Sequence, residues 1–255
     1  MNNSEKQEKG SESKGLSEIR LNKYISNAGV CSRRDADELI AAGQIKVDGK
    51  VVTNMGIKVN SSQKVSYKGK ILSSEKKVYV LLNKPKDYLT TMDDPHADKK
   101  VIDLVKNACP ERIYPVGRLD KNTTGLLLFT NDGDLATKLS HPRYNKKKVY
   151  HVFLNRPVTK NDLMRLTEGI TIDEGQKVSA DVASFPDMED RTQIGLEIHS
   201  GQNRVVRKMF EAMDYRVKKL DRVYYAGLTK KNLPRGKWRF LTDAEVKNLK
   251  RGSYS

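Results

Sequence analysis

The sequence predicts an α+β chain in two parts, and two patterns carry the prediction. Near the N-terminus, apolar residues at helical spacing give way to short alternating strands joined by an Asp-Gly turn. Beyond about residue 76, apolar runs of strand length and strict alternations accompany short helical patterns.

The first 18 residues are Ser, Glu, Lys, Gln, Asn and Gly with little apolar content, and are expected as a disordered tail. Residues 19–76 form the first domain. Leu21, Tyr24, Ile25 and Ala28 have helical spacing, with Gly29 as the stop. Ser32-Arg33-Arg34-Asp35 is a capping-box pattern that opens a second helix, with Asp in place of the usual Glu. This helix should bury Ala36, Leu39 and Ile40 and end at Gly43. Ile45 and Val47 alternate as a strand, Asp48-Gly49 turns, Val51-Val52 returns, and Val59 and Val65 continue the sheet. Lys23, Arg33, Arg34, Lys46 and Lys50 stay outside, where basic residues at a helix start can grip phosphates.

Residues 77–250 form the second domain. Val78–Leu82 is a continuous apolar strand that stops at Asn83-Lys84-Pro85, followed by Asp87 in a turn. Residues 88–112 are loop-rich, Asp93-Asp94-Pro95 is a turn, and Val101–Val105 opens a short helix. Asp134–Ser140 is a helix with Leu135 and Leu139 inward. Tyr150, Val152 and Leu154 share the core face of a strand. Residues 155–192 read as turns and short strands. Ile194, Leu196 and Ile198 alternate, and Val206, Met209, Phe210 and Met213 follow at i, i+3, i+4, i+7. Val217–Tyr225 is expected as the last strand.

Between these pieces lies Tyr114-Pro115-Val116-Gly117-Arg118-Leu119-Asp120-Lys121-Asn122-Thr123-Thr124-Gly125-Leu126-Leu127-Leu128-Phe129-Thr130-Asn131-Asp132-Gly133. Leu126–Phe129 is too short for a helix of its own and reads as a buried strand, closed by the turn Asn131–Gly133. Asp120 therefore sits on a loop between rigid pieces. Alternation puts Arg118 and Asp120 on one face, with Leu119 inward. A lone loop Asp ordinarily caps nearby backbone. One held beside apolar walls is suited to attack or proton transfer.

The net charge is +16 and the sequence pI about 9.7, which points to a polyanionic partner. No apolar run of membrane-spanning length exists and the N-terminus lacks the apolar core of a signal peptide. Two cysteines give no disulfide framework, and the four histidines show no metal-ligand spacing. The default is a cytoplasmic, metal-free, nucleic-acid-binding protein, taken as a monomer.

Residues 20–50, from Arg-Leu-x-Lys-Tyr-Ile through Ser-Arg-Arg to Ile-x-Val-Asp-Gly-Lys, resemble the S4 RNA-binding domain. That resemblance implies recognition of folded RNA by Arg33 and Arg34. Gly-Arg-Leu-Asp-x-x-Thr-x-Gly-Leu-Leu-Leu-Phe-Thr-x-Asp-Gly resembles the signature of ribosomal RNA pseudouridine synthases of the RsuA/RluB type. Lys-x-Tyr-x-Val at Lys148–Val152 and Asn203-Arg204-x-Val206-Arg207-Lys208-Met209-Phe210 resemble that family's second and third motifs. The resemblance implies a catalytic domain on a mixed, mostly antiparallel sheet. It also implies that Asp120 is the catalytic carboxylate and nucleophile, that Tyr150 lies in the active site, and that Arg207 pairs with Asp120. Arg118, Asn203 and Arg204 match RNA-contacting positions, with Arg118 placed to hold phosphate or fill a vacated stack. Two departures stand out: Asp87 where relatives carry Gly, and Val205 where many carry Gln. The ending Leu233-Pro234-Arg235-Gly236-Lys237-Trp238 looks more like the large-subunit RluB members than the small-subunit RsuA members.

The reaction so implied isomerises one uridine of ribosomal RNA. The C1′–N1 bond breaks, the uracil turns, and C1′ bonds to C5, with attack at C1′, attack at C6 and a glycal route all open. No electrons or groups enter or leave, so no cofactor is required. A non-catalytic S4 ribosome-assembly factor would leave the matches at Asp120, Tyr150 and Arg207 unexplained. An RNA hydrolase using Asp120 would need a positioned water and usually a metal.

Overall fold

The computed structural model describes residues 18–252, and the expected tail, Glu18 apart, lies outside them. The chain falls into two compact units that divide between Glu75 and Lys76.

The first unit contains β1 (Ile19–Arg20), α1 (Leu21–Asn27), α2 (Arg33–Ala41), β2 (Ile45–Val47), β3 (Lys50–Val52), β4 (Lys58–Val59), β5 (Val65–Tyr67) and β6 (Lys70–Ile71). Ser32 caps α2 as the sequence predicts. Its hydroxyl accepts from the Asp35 N–H at 3.2 Å, and the Asp35 carboxylate accepts from the Ser32 N–H. Leu21, Ile25, Ala36, Ile40, Ile45, Val47, Val59 and Val65 form the core, with Leu39 half-buried against it. The strands β3-β2-β5-β6 form one sheet. Val59 does not continue that sheet as expected: β4 pairs with β1 instead, Val59 opposite Ile19. Short strands carry too little pattern to select their partner, and this pairing spans 40 residues of chain.

The second unit contains β7 (Tyr79–Lys84), β8 (Tyr114–Pro115), β9 (Thr123–Thr130), α3 (Gly133–Ser140), β10 (Lys148–Leu154), α4 (Lys160–Glu168), β11 (Ile170–Ile172), β12 (Gln176–Val178), β13 (Val182–Ser184), β14 (Gln193–Ile198), α5 (Val205–Glu211), β15 (Val217–Tyr225), β16 (Leu228–Thr229), β17 (Trp238–Phe240) and α6 (Asp243–Arg251). Nine of these strands make one sheet, in the order β13-β14-β10-β15-β9-β7-β17, with β16 on β15 and β8 on β9. All its pairings are antiparallel except β15 with β9. The chain is thus α+β with a mixed, mostly antiparallel sheet.

Leu126, Leu127, Leu128 and Phe129 are fully buried in β9, each contributing roughly 2 kcal/mol by removal from water. They fill both faces of the strand. Leu126 and Leu128 pack with Leu135 and Leu139 of α3, while Leu127 and Phe129 pack with Val80, Leu82 and Val101. Gly125 is required where β15 crosses β9. Its φ is +105°, and a Cβ there would lie 2.2 Å from the Arg222 carbonyl oxygen.

Two further expectations need correction. Residues 155–192 hold the helix α4 as well as turns and strands; its Thr159–Asp162 capping box was legible, but only Leu166 is fully buried, so its apolar periodicity is faint. Val217–Tyr225 is not the last strand: β16, β17 and α6 follow, and β17 pairs with the distant β7, Trp238 opposite Leu82. The short helix expected from Val101 is present as a 3₁₀ turn over Val101–Leu104. Asp87 adopts φ +71°, so the turn that takes Gly in relatives is kept in left-handed form.

Candidate active site

The loop 117–122 leaves β8 and enters β9, and three contacts fix it. Leu119 is buried among Leu127, Phe129 and Val80. Its backbone N–H and carbonyl both meet the Thr90 hydroxyl, at 3.2 and 2.6 Å. Beneath the loop lies Lys84, fully buried at the end of β7. Its ammonium donates to the carbonyls of Pro85, Asp120, Lys121 and Thr123 at 2.8–3.1 Å. One side chain therefore gathers both ends of the turn that carries Asp120. Burial draws the Lys84 pKa down to about 8, against the Asp120 and Asp87 carboxylates, which pull it up.

With Leu119 inward, Arg118 is exposed and Asp120 half-buried, the alternation read from the sequence. The Asp120 carboxylate meets the Thr123 hydroxyl at 3.5 Å and faces Arg207, whose Nε lies 3.8 Å from Oδ2. Arg207 projects from α5 and is buried; its Nη1 donates to the Val217 carbonyl at 3.2 Å. Its Nε has no hydrogen-bond partner. Burial lowers the Arg207 pKa and the Asp120 charge opposes that fall.

Asp120 and Thr123 border a cleft of about 650 Å³, its open mouth included. Leu119, Val116, Val205, Val206 and Leu220 give it apolar walls. Tyr150 reaches it from the core face of β10, where Lys148, Tyr150, Val152 and Leu154 alternate inward. Arg118 and Arg204 stand at its border. Arg204 occupies the left-handed region at φ +54° and donates to Glu211 at 3.2 Å. Asn203 is exposed and does not line the cleft. Among the described residues that do, Asp120 is the only carboxylate.

Lys23, Arg33 and Arg34 belong to the other unit. Arg33 and Arg34 are exposed at the start of α2, and Arg33 donates to Asn22 at 3.3 Å, whose amide in turn donates to Asp37.

Four buried charged residues escaped the sequence reading, because charged side chains pattern as solvated. One is Lys84. Lys148 is the second; it donates to the carbonyls of Lys146, His199 and Ser200 at 3.0–3.2 Å, and burial together with the Arg222 charge lowers its pKa to about 8. Arg222 is the third, donating through Nε and Nη2 to the Leu126 carbonyl with its guanidinium over Tyr225 at 4.4 Å. The fourth is Asp221, ion-paired with Lys230 and with Arg235, whose guanidinium also reaches Asn83 and the Lys84 carbonyl. Burial raises the Asp221 pKa, yet the two cations and their hydrogen bonds leave it below the ordinary carboxylate value. The readable signal was position: Lys84 and Lys148 fall in phase with buried strand residues.

Comparison with known proteins fits this geometry. The family model described as RNA pseudouridylate synthase matches residues 78–212, and the S4 domain model matches residues 19–65. Ribosomal large subunit pseudouridine synthase B of Bacillus subtilis is 45% identical over 233 residues, covering 91% of this chain and 95% of its own. The dual-specificity RNA pseudouridine synthase RluF of Escherichia coli K12 is 34% identical over 240 residues, covering 91% and 79%. A crystal structure of a pseudouridylate synthase superposes with a TM-score of 0.65 at 26% identity, over 91% of this chain and 99% of that one. With an S4 domain ahead of it and a cleft whose one carboxylate stands on the signature loop, the chain belongs to the RNA pseudouridylate synthase family, isomerases that act on uridine in RNA.

Proposed function

We propose that this chain converts one uridine of large-subunit ribosomal RNA to pseudouridine, with Asp120 as the group that acts on the nucleotide. The observation that carries the reading is the isolation of Asp120 as the one carboxylate, among described residues, on a cleft whose other charged lining residues, Arg118, Lys148, Arg204 and Arg222, are all cationic. The large-subunit target is supported by the name of the Bacillus subtilis relative and by the Leu-Pro-Arg-Gly-x-Trp ending.

Asp120 stands in a cleft against apolar walls, so a uridine stacked in RNA must be extruded to reach it. Arg118 and Arg204 at the border hold phosphate or occupy the vacated stack. Tyr150, Leu220 and Val205 pack against the uracil and sugar. Asp120 then acts as nucleophile or base. The C1′–N1 bond breaks, the freed uracil turns, and C1′ bonds to C5. C5 loses its hydrogen as a proton and N1 gains one, so no oxidant, reductant or co-substrate is consumed. Arg207 orients Asp120, because its unpartnered Nε gains a full hydrogen bond when the carboxylate closes a fraction of an ångström. Lys84 and Leu119 resist any larger shift of the loop.

In this reading Arg33, Arg34 and Lys23 grip folded RNA through the S4 domain. The protein works as a cytoplasmic monomer without a nucleotide cofactor. Mapping pseudouridines in both ribosomal RNAs from cells lacking the protein tests the proposal. Loss of one large-subunit position, restored by the purified protein, supports it. An unchanged map contradicts it, and a lost small-subunit position contradicts the target assignment.

A further inference from the structure

The segment between α3 and β10 carries an aromatic and cationic platform that the catalytic reading does not use. His141, Pro142, Arg143 and Asn145 are exposed, and Tyr144 is half-buried. The backbone is held in a 3₁₀ turn, with Pro142 at its first position. The Tyr144 N–H donates to the His141 carbonyl at 3.2 Å, the Asn145 N–H donates to the Pro142 carbonyl at 3.0 Å, and Asn145 closes the turn at φ +44°. His141 Nδ1 accepts from the Arg143 N–H at 3.3 Å.

Within this turn the Arg143 guanidinium lies over the Tyr144 ring, 4.5 Å from its centre, and hydrogen-bonds the phenol oxygen. The His141 ring meets Tyr144 edge-on at 6.4 Å. Among the described residues, no further ring or cation contacts Tyr144. The turn lies in the stretch of chain between Ser140 and Lys148, both of which line the cleft, although residues 141–147 do not. Both ends are anchored: the Tyr225 hydroxyl donates to the Leu139 carbonyl at 3.0 Å, and the Lys148 ammonium donates to the carbonyls of Lys146, His199 and Ser200.

A half-buried aromatic ring with an exposed guanidinium stacked on it, on a rigid turn, is the equipment with which proteins hold unpaired bases. Extruding a uridine unstacks its neighbours, and one of those neighbours needs a new surface. We propose that Tyr144, with Arg143, stacks the nucleobase that flanks the target uridine, making this turn a subsite for a single-stranded nucleotide of the RNA substrate. The proposal rests on the isomerase reading of the cleft. A stacking contact tolerates any base, so the subsite positions the strand and does not select its sequence.

Two measurements decide it. The first needs no turnover: a short oligouridine carrying one 2-aminopurine is titrated with protein. Wild type and Tyr144→Phe should quench the fluorescence on binding, and Tyr144→Ala should not. Equal quenching by all three overturns the proposal, even if the chain proves to have no isomerase activity. The second compares tritium release from 5-tritiated ribosomal RNA with release from the same RNA made abasic at the nucleotide before or after the target. Tyr144→Ala should lower kcat/KM about tenfold on intact RNA, while Tyr144→Phe stays within about twofold of wild type. On one abasic substrate wild type should lose about the same factor, and Tyr144→Ala should lose nothing further. If the two losses multiply on both abasic substrates, Tyr144 acts elsewhere and the proposal fails. Absent tritium release by wild type on intact RNA would count against the isomerase reading, leaving the quenching result to decide the stacking one.

Discussion

Arg207 Nε points at Asp120 Oδ2 from 3.8 Å and is the one buried side-chain polar atom, among the described residues, that lacks a hydrogen-bond partner. A buried N–H left unmade is costly. It persists here beside a carboxylate that is about one-third exposed and a fraction of an ångström too far away. On the proposed mechanism the pair closes when an RNA nucleotide fills the cleft and excludes water.

Removing that donor should act on orientation more than on affinity. Arg207→Met keeps the length of the side chain and loses the charge. Turnover should fall by about a hundredfold or more, the usual scale for a misplaced catalytic group, with RNA affinity changed little. Stopped tritium release with RNA in excess measures the first, and filter binding the second. Near wild-type turnover would remove Arg207 from the mechanism.

The two buried lysines give a pH signature. Lys84 and Lys148 are each drawn to about 8, below the ordinary 10.5. Above pH 8 they lose the protons that clamp the Asp120 loop and the 199–200 turn, so kcat/KM should decline there. Stability runs the other way. The native state releases these protons before the unfolded chain does, so unfolding free energy gains from both groups as pH rises from about 8 towards 10.5. Activity falling between pH 8 and 9.5 while the melting temperature holds or rises is the expected pattern. A parallel fall of both would show general unfolding instead.

The S4 unit makes a third prediction. Arg33 and Arg34 stand exposed at the capped start of α2. Replacing both by Ala should weaken binding to ribosomal RNA and lower the salt slope by about one to two, as each lost phosphate contact releases fewer counterions. An unchanged slope and affinity would make these arginines a solvated face.

The parts of the fold legible in the sequence are those whose pattern is local. The Leu126–Phe129 run, the Ser32–Asp35 capping box, the Asp48-Gly49 turn and the alternation through Tyr150 each follow from neighbours in sequence. Val59 was placed in the wrong sheet because its partner, Ile19, is distant in the chain. The helix α4 was missed because Leu166 alone anchors it deeply. β17 was missed because a three-residue strand becomes one only when β7 offers an edge. The same division runs through the site. Asp120, Tyr150 and Arg207 were found by their motifs, and the geometry brings Asp120 beside Arg207 and puts Tyr150 on the cleft. Lys84 and Lys148 fall in phase with buried strand residues, yet they and Arg222 were not read as buried because composition does not distinguish a caged cation from a solvated one. Only burial with carbonyl acceptors does.

The most direct test is pseudouridine formation by purified Asp120→Asn. The substitution keeps size and hydrogen bonding and removes the nucleophile and base. The loop holds through Leu119 and Lys84, whose bonds to the 120 and 121 positions use backbone carbonyls, so the variant should fold. It should bind ribosomal RNA about as tightly as wild type, since phosphate contacts dominate affinity. No pseudouridine should form at any position after deamidation has been excluded. Measurable isomerisation by the variant would contradict the account, and loss of RNA binding would make Asp120 a structural cap.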